Sequence, residues 1–156
     1  MTATTPALEA LTRADASFDV VRTQRARSAE ESATLQGIPV GDLLRTIVIR
    51  RGPDDYLFVL VPGDRSIDWP KLRKTLGVSR LSLPDAEEAR AATGYERGAI
   101  TPFGAATKWP VIADMSIVEK DVVAIGGGAH GVNVHLNARH LVDLLDARVA
   151  DVTAPA

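Results

Sequence analysis

The sequence predicts an α/β (α+β) domain in which helices flank a mixed β-sheet. Two nearly continuous apolar runs, residues 43–49 and 56–61, flank the turn-forming residues 52–55. They predict a hairpin whose strands are covered on both faces. A second hairpin is expected across residues 126–131, and helix signals are interspersed irregularly among the strands. This order favours a mixed sheet over a regular strand–helix–strand succession.

Length and composition place the chain among globular domains. With 156 residues, 46% of them apolar and 24% charged, residues 1–156 are expected to form a single domain with its own core. Because no apolar run approaches the roughly 18 residues that span a bilayer and no signal-peptide pattern opens the sequence, we expect a cytoplasmic protein without membrane contact. The chain has no cysteine, which excludes disulfides and a cysteine nucleophile. Its net charge of −2 predicts only local contact with nucleic acid.

The first part of the chain predicts two helices and a strand before the first hairpin. A short helix is expected at residues 7–14 and a strand at residues 18–21. Ser28 and Glu31 then form a capping-box pattern, and Gly37 stands where a glycine commonly ends a helix. The second helix is therefore expected between Ser28 and Gly37.

The remaining elements follow from cap residues and short apolar runs. Asp68, Asp85 and Asn137 are expected to cap helices that end near residues 76, 92 and 145. Further strands are expected at residues 80–83, 111–113, 121–125 and 132–136. The two ends, up to about residue 5 and beyond residue 151, are expected to be disordered.

The segment TGYERGAITPFG at residues 93–104 is hard to explain by packing alone. It places Gly98, Pro102 and Gly104 within seven positions. Glycine allows close backbone approach to a ligand, and proline holds a loop rigid. Such a loop can offer fixed backbone N–H and C=O groups to a ligand, although a purely structural connection is the alternative.

Arg45 is the unusual side chain of the first hairpin. In strand alternation it shares a face with Ile47 and Ile49, so a permanent cation lies at the edge of an apolar face. Its stem can extend into solvent, as arginine stems often do. If it points inward, it needs an acceptor such as a substrate carbonyl or phosphate.

The strand at residues 132–136 carries Asn133 and His135 on one face, which indicates either a pocket wall or a hydrated surface. His130, His135 and His140 are five residues apart and are expected on a turn, a strand and a helix. This spacing does not favour a metal site.

The run GGGAHG at residues 126–131 follows a strand and precedes another strand. A phosphate-binding loop needs a helix after it, so a hairpin turn is the better interpretation. No serine lies in a nucleophile elbow, and no acidic pair has a helical spacing that would nominate a general acid and base, so any chemistry would depend on positioning and backbone donors.

Five segments in order resemble the YbaK/EbsC family of aminoacyl-tRNA deacylases, which includes the editing domain inserted in bacterial prolyl-tRNA synthetases. They are LLRTIVI, LVPGDRSIDWPKLRKTLG, TGYERGAITPFG, GGGAHGVNVHL and RHLVDLL. The resemblance covers about residues 18–146, and TGY-x-x-G-x-x-x-P-x-G is its most specific motif. It implies a partly barrel-like mixed sheet and hydrolysis, in trans, of the ester of a mischarged tRNA. No metal or organic cofactor is implied.

The resemblance also implies a set of site residues. Arg45 stands where family members usually have a functional lysine, and it is the expected catalytic group acting electrostatically. Thr23, His130 and Asn133 are expected to shape the amino-acid pocket, with Asn133 in place of an aspartate of the cysteine-specific members. The remaining residues expected to bind substrate, including the terminal adenosine of the tRNA, are Gly98, Ala99, Ile100, Thr101, Pro102, Phe103, Gly104 and Gly128.

The expected function is therefore a free-standing deacylase for mischarged tRNA, with tRNA-Pro carrying cysteine, alanine or serine as the expected substrate. The expected partners are the CCA end of aminoacyl-tRNA and prolyl-tRNA synthetase, with no DNA contact and a monomeric state. The alternative is a non-catalytic module that binds an aminoacyl-adenosine end, because the family lysine is missing.

Overall fold

Strands and helices alternate irregularly in the protein, whose computed structural model describes residues 4–156. The strands of this part of the chain are β1 (Asp19–Arg22), β2 (Leu44–Gly52), β3 (Asp55–Pro62), β4 (Arg65–Ile67), β5 (Val111–Asp114), β6 (Val122–Gly126), β7 (Val132–Asn137), β8 (Arg148–Ala150) and β9 (Thr153–Pro155). Its α-helices are α1 (Pro6–Arg13), α2 (Ala29–Gln36), α3 (Trp69–Leu76), α4 (Ala86–Thr93) and α5 (Ala138–Leu145). Short 3-10 turns lie at Val40–Asp42 and Met115–Glu119.

The main strands form two sheets that meet at one point. The first sheet has the order β1-β7-β6, and the second has the order β2-β3-β5-β8. A parallel bridge between Leu43 and Ala124 places β6 beside the start of β2, so the two sheets continue into one curled surface. Antiparallel pairing of β2 with β3 and parallel pairing of β3 with β5 make the second sheet mixed. The predicted fold class is confirmed.

The first hairpin is covered on both faces, as its continuous apolar runs predicted. Alternate β3 residues enter two different core clusters: Tyr56, Phe58 and Leu60 belong to one, and Leu57, Val59 and Val61 belong to the other. Helices α1 and α5 contribute to the first cluster, and α3 contributes Leu72 to the second. Both faces of β3 are therefore removed from water, which makes the hydrophobic effect the main stabilising term here.

The cap residues begin and end the helices as predicted. Ser28 Oγ accepts a hydrogen bond from the Glu31 N–H at 3.0 Å, and Asp68, Asp85 and Asn137 make the equivalent contact in their own helices. Gly37 ends α2 in the left-handed conformation with φ of 71°. Side-chain oxygens thus satisfy the first N–H groups that a helix leaves without partners.

Two sequence predictions are wrong. Residues 80–83 do not form a strand, because Ser82 makes only a single bridge to Arg50, β2 shifts register after Arg50, and Pro84 follows at once. The C-terminus is not disordered beyond residue 151: Thr153–Pro155 pairs with β4, and Val152 and Thr153 are fully buried. At the other end Thr5 is buried and caps α1, so it is ordered. The rest of the disorder predicted at this end falls partly on residues 1–3, which lie outside the described residues.

The helices of residues 4–156 are short: none has the length and apolar character needed to cross a membrane.

Candidate active site

A cavity of about 500 Å³ lies where the curled sheet is left open beside β2. Four segments form most of its lining: residues 43–48 at the start of β2, residues 97–100 of the loop at residues 93–104 (the TGY loop), residues 129–133 of the second hairpin, and residues 23–29 before and at the start of α2. The Leu43–Ala124 bridge ends on one side of this opening and the Arg50–Ser82 bridge on the other. The volume is in the range of small-ligand sites.

The charge of this cavity differs from that of the whole chain. Among the described residues its lining includes Arg25, Arg27, Arg45, Arg97 and His130 and no Asp or Glu, although outside the lining Glu31 pairs with Arg27 and Glu96 with His130, each at 3.7 Å. The chain as a whole carries 18 basic and 20 acidic residues. A concave site with charge of one sign concentrates ligands of the opposite sign, so the cavity favours an anion. Arg25, Arg27 and Arg97 were not among the predicted site residues, although the cluster QRARS directly before a predicted helix was a usable signal for the first two.

Arg45 lies at the cavity but its guanidinium is occupied. Its Nη2 donates to the Arg65 carbonyl oxygen of β4 at 2.7 Å, while its Nε is buried without a partner among the described residues. The side chain lies on the β2 face shared with Ile47 and Ile49, as alternation predicted. Neither sequence interpretation is complete: the head is half-buried rather than in solvent, and its acceptor is a backbone carbonyl.

The first half of the TGY loop forms one wall of the cavity. Gly98, Ala99 and Ile100 line it, and Gly98 has φ of 90°, which favours glycine. The ring of His130 lies over Gly98, because an added Cβ there would be 3.1 Å from His130 Cε1. His130 Nε2 is 3.7 Å from a carboxylate oxygen of Glu96. This half of the loop is where a ligand could reach backbone groups.

The second half of the loop turns away and packs into the core. Thr101 is fully buried, and an added Cβ on Gly104 would overlap the Pro6 carbonyl group. Pro102, Phe103 and Gly104 line a separate, smaller cavity of about 260 Å³ together with residues of α1 and α5. The adenosine-binding hypothesis for residues 98–104 therefore has to be restricted to Gly98, Ala99 and Ile100.

The TGY residues explain how the loop is held. Thr93 Oγ1 donates to the Ala89 carbonyl at 2.8 Å and accepts from the Tyr95 N–H at 3.2 Å. The Tyr95 hydroxyl donates to the Phe103 carbonyl at 2.7 Å, and burial raises the pKa of Tyr95 to about 12. Much of this motif is thus structural: it ties the end of α4 to the loop that follows.

Of the other residues expected to bind substrate, Thr23 and Asn133 line the cavity and Gly128 does not. Thr23 and Asn133 line the cavity, but Thr23 Oγ1 donates to the Gln24 carbonyl at 2.8 Å and Asn133 Nδ2 donates to the Val21 carbonyl at 3.1 Å. Their donors hold the backbone that frames the cavity. Gly128 lies elsewhere, since an added Cβ would contact Tyr95 Cε1 at 2.9 Å, and it is not part of the cavity wall.

The three histidines lie on a turn, a strand and a helix, as predicted. Among the described residues no group of three or more His, Asp or Glu side chains could hold a metal ion. His135 lies under α2 with its Nε2 at 2.8 Å from Gln36 Oε1, and burial lowers its pKa. Of Asn133 and His135, the two polar side chains predicted on one face of this strand, only Asn133 therefore lines the cavity.

Comparison with known proteins identifies the family. Residues 23–144 match the family model of the aminoacyl-tRNA editing domain. A proline–tRNA ligase of Thermosipho africanus is 30% identical over 145 residues, which cover 88% of this chain but only 26% of the ligase. The candidate Cys-tRNA(Pro)/Cys-tRNA(Cys) deacylase EbsC of Enterococcus faecalis is 25% identical, over 81% of this chain and 77% of that protein.

Solved structures agree with this result. A candidate trans-editing enzyme for prolyl-tRNA synthetase superimposes with a TM-score of 0.86 at 28% identity, covering 96% of this chain and 95% of the other. The hypothetical protein APE2540 has the same fold, with a TM-score of 0.87 at 22% identity. The resemblance found in the sequence is confirmed, and since the family model spans most of the chain and all four segments that line the cavity, the chain belongs to the aminoacyl-tRNA editing domain family.

Proposed function

We propose that the protein hydrolyses the ester bond of a mischarged aminoacyl-tRNA, acting in trans. The observation that carries this proposal is the cavity: about 500 Å³, four arginines and no carboxylate in its lining, in a chain of the editing-domain family. The end of a charged tRNA is a polyanion that carries a small ester, and it matches this combination of charge and volume. Action in trans is supported by the relative described as a trans-editing enzyme, 95% of which this chain covers.

The proposed substrate is tRNA-Pro carrying cysteine, alanine or serine. The similarity to proline–tRNA ligases and to EbsC supports tRNA-Pro. The discriminating walls would be those around Thr23, His130 and Asn133. One methylene in such a pocket provides only about 1 to 3 kcal/mol of discrimination, which is why a separate editing step is useful. Prolyl-tRNA synthetase is the proposed partner, and the proposed oligomeric state is a monomer.

The proposed mechanism uses water as the nucleophile. Among the described residues no carboxylate lines the cavity to activate a hydroxyl for attack, so the cavity acts by positioning and electrostatics. In this account Gly98, Ala99 and Ile100 hold the terminal adenosine, and the backbone N–H groups of Gly98 and Ile100 are the donors to the developing oxyanion, since the Ala99 N–H already donates to the Glu96 carbonyl at 2.9 Å. Arg45 contributes a fixed positive charge at the start of β2.

The direct test is deacylation of a panel of charged tRNAs. The panel contains tRNA-Pro charged with alanine, cysteine, serine or proline, and a second tRNA charged with alanine. Release faster than buffer hydrolysis for a non-cognate tRNA-Pro, with the prolyl ester spared, is the expected result. If no member is released above the buffer rate, the protein is not a deacylase of this class.

A non-catalytic module that binds the aminoacyl-adenosine end is the second candidate. Its specific support is Arg45, which the resemblance places at the family's lysine position and whose Nη2 donates to the Arg65 carbonyl. For this candidate, binding of charged tRNA-Pro without release of its amino acid is the expected outcome of the same panel.

A further inference from the structure

The start of β2 has an open backbone edge inside the cavity. In an antiparallel pair, residues alternate between those that exchange hydrogen bonds with the partner strand and those that do not. The Gly63 N–H donates to the Leu43 carbonyl at 2.8 Å, which puts Leu43 in the bonded set. Arg45 and Ile47 follow in that set, paired with Val61 and Val59. Thr46 and Val48 therefore direct their N–H and C=O groups away from β3.

Two bridges mark the limits of this open edge. At one end Leu43 bridges to Ala124 of β6. At the other end the backbone of Arg50 exchanges two hydrogen bonds with the backbone of Ser82, at 2.8 and 3.0 Å. The backbone N–H and C=O groups of Arg50 therefore point away from β3, as those of Thr46 and Val48 do. Between the bridges no strand of the described chain pairs with Thr46 or Val48 on that side.

The cavity follows this edge rather than one face of the strand. Six consecutive residues of the chain, 43–48, line it, although their side chains alternate between the two faces. Only the backbone edge is common to all six. Thr46 adds a second observation, because its Oγ1 is buried and has no hydrogen-bond partner in the described structure. Unpaired polar groups of this kind are rare in native proteins, so the Thr46 hydroxyl is available to hydrogen-bond a ligand that enters the cavity.

We propose that the open edge at Thr46 and Val48 binds the aminoacyl group of the substrate as one residue of an added strand. An aminoacyl ester presents an N–H donor on its α-ammonium group and an acceptor on its carbonyl, in the order in which a peptide residue presents them. A residue opposite Thr46 or Val48 would donate to the strand carbonyl and accept from the strand N–H. The inference rests on the proposed function and names the part of the substrate that is recognised.

This binding mode separates two tasks of the site. The hydrogen bonds to the strand edge recognise the α-amino acid unit, which every aminoacyl-tRNA carries. The amino-acid side chain then projects toward one wall of the cavity, where the pocket residues can discriminate. The α-ammonium group donates to the strand carbonyl and is repelled by the arginines of the lining, while the phosphate of the tRNA end is attracted to them, so the charges orient the ester in one direction.

Hydrogen exchange in the free protein tests the geometry. The amides of Thr46 and Val48 are expected to exchange at least tenfold faster than those of Ile47 and Ile49, which lie between them in sequence and are bonded to β3. Equal protection of all four amides would mean that the edge is closed, and the proposal would be overturned.

Ligand binding tests the recognition. The probe is 3′-deoxy-3′-(alanylamino)adenosine, an amide that the protein cannot release as an ester. Its addition is expected to shift the ¹⁵N–¹H signals of Thr46 or Val48 and to slow their exchange, with Ile47 and Ile49 as internal controls. A probe that binds and leaves both edge amides unchanged overturns this inference alone. A probe that does not bind, together with an inactive deacylation panel, overturns the proposed function and the inference with it.

The substrate side gives an independent measurement. Propionyl-tRNA-Pro lacks the α-ammonium donor of alanyl-tRNA-Pro but keeps its carbon skeleton. With each rate divided by its own buffer hydrolysis rate, the enzyme is expected to prefer the alanyl ester at least tenfold. Equal normalised rates would show that the α-amino group is not recognised.

Discussion

The buried hydroxyl groups of Thr46 and Thr93 differ in whether they have hydrogen-bond partners. Thr46 Oγ1 is buried without a partner, whereas Thr93 Oγ1 donates to Ala89 and accepts from Tyr95. Because an unpaired buried polar group costs about 1 to 3 kcal/mol, Thr46→Val is expected to raise the free energy of unfolding by about 1 kcal/mol. Thr93→Val is expected to lower it by a similar or larger amount. Urea unfolding measures both, and a loss of stability in Thr46→Val would mean that its hydroxyl has a partner in solution.

Variants of Arg45 distinguish the proposed enzyme from the proposed binding module. If its charge assists hydrolysis, Arg45→Ala is expected to lower kcat/KM for the best tRNA of the panel at least tenfold, and Arg45→Lys is expected to retain more activity. Arg51→Ala is the matched control, since Arg51 lies on the same strand but pairs with Asp55 at the hairpin turn, at 3.1 Å. Hydrolysis that is absent in the parent protein and gained in Arg45→Lys would instead support the binding module.

At the scale of elements, the TGY loop depends on a close contact with α1. Gly104 has φ of 67° and no room for a Cβ against Pro6, whereas Gly37 has φ of 71° and nothing within 4 Å of an added Cβ. Both alanine substitutions carry the cost of a left-handed residue, about 1 kcal/mol. Gly104→Ala carries an additional steric overlap, so it is expected to destabilise the protein by at least 2 kcal/mol more than Gly37→Ala. Equal unfolding free energies for the two variants would contradict the packing of this loop on α1.

The elements that the sequence predicted are those with a local physical signal. Ser28 and Asp68 mark helix starts because capping is chemistry between neighbours in sequence, and the long runs of β2 and β3 show burial directly. Strands β4, β8 and β9 have three residues each, which is too short to display a period of two. Their pairing depends on partners far away in the chain.

In the site, too, only residues with a local sequence signal could be predicted. Arg45, Asn133 and Gly98 are conspicuous in the sequence as a cation on an apolar strand, a polar residue on a strand and a glycine in a rigid loop. Its open edge at Thr46 arises because β6 bridges to Leu43 and then departs, so that between Leu43 and Arg50 no strand of residues 4–156 pairs with the edge of β2 opposite β3. No local pattern encodes that departure, because it follows from how the whole sheet curls.

At the scale of the molecule, Asp114 fastens the C-terminal segment to the sheet. Its carboxylate accepts from the Val152 N–H at 3.1 Å and from the Ser116 N–H at 3.1 Å, and Arg65 Nε lies 3.8 Å away. The carboxylate is almost fully buried, at 1% exposure. Burial alone would raise the pKa of Asp114, but the hydrogen bonds from Ser116, Val152 and Thr153 outweigh it, and the pKa is lowered. One buried anion thus connects the end of β5 to the strand that follows Val152.

Because of this lowered pKa, the attachment of the C-terminal segment to the sheet is sensitive to acid. Since the folded pKa is below the unfolded value, the carboxylate contributes its full stability above the ordinary aspartate pKa of 3.8 and loses it as the pH falls through the folded pKa. Asp114→Asn is expected to lower the free energy of unfolding by about 2 kcal/mol at pH 7 and by progressively less below pH 4, as measured by urea titrations between pH 7 and pH 2.5. Asp151→Asn is the control, because Asp151 is half-exposed in its ion pair with Lys71 and surface pairs contribute little. A constant difference between Asp114→Asn and the parent protein across this range would show that Asp114 stabilises the fold by packing and not as an anion.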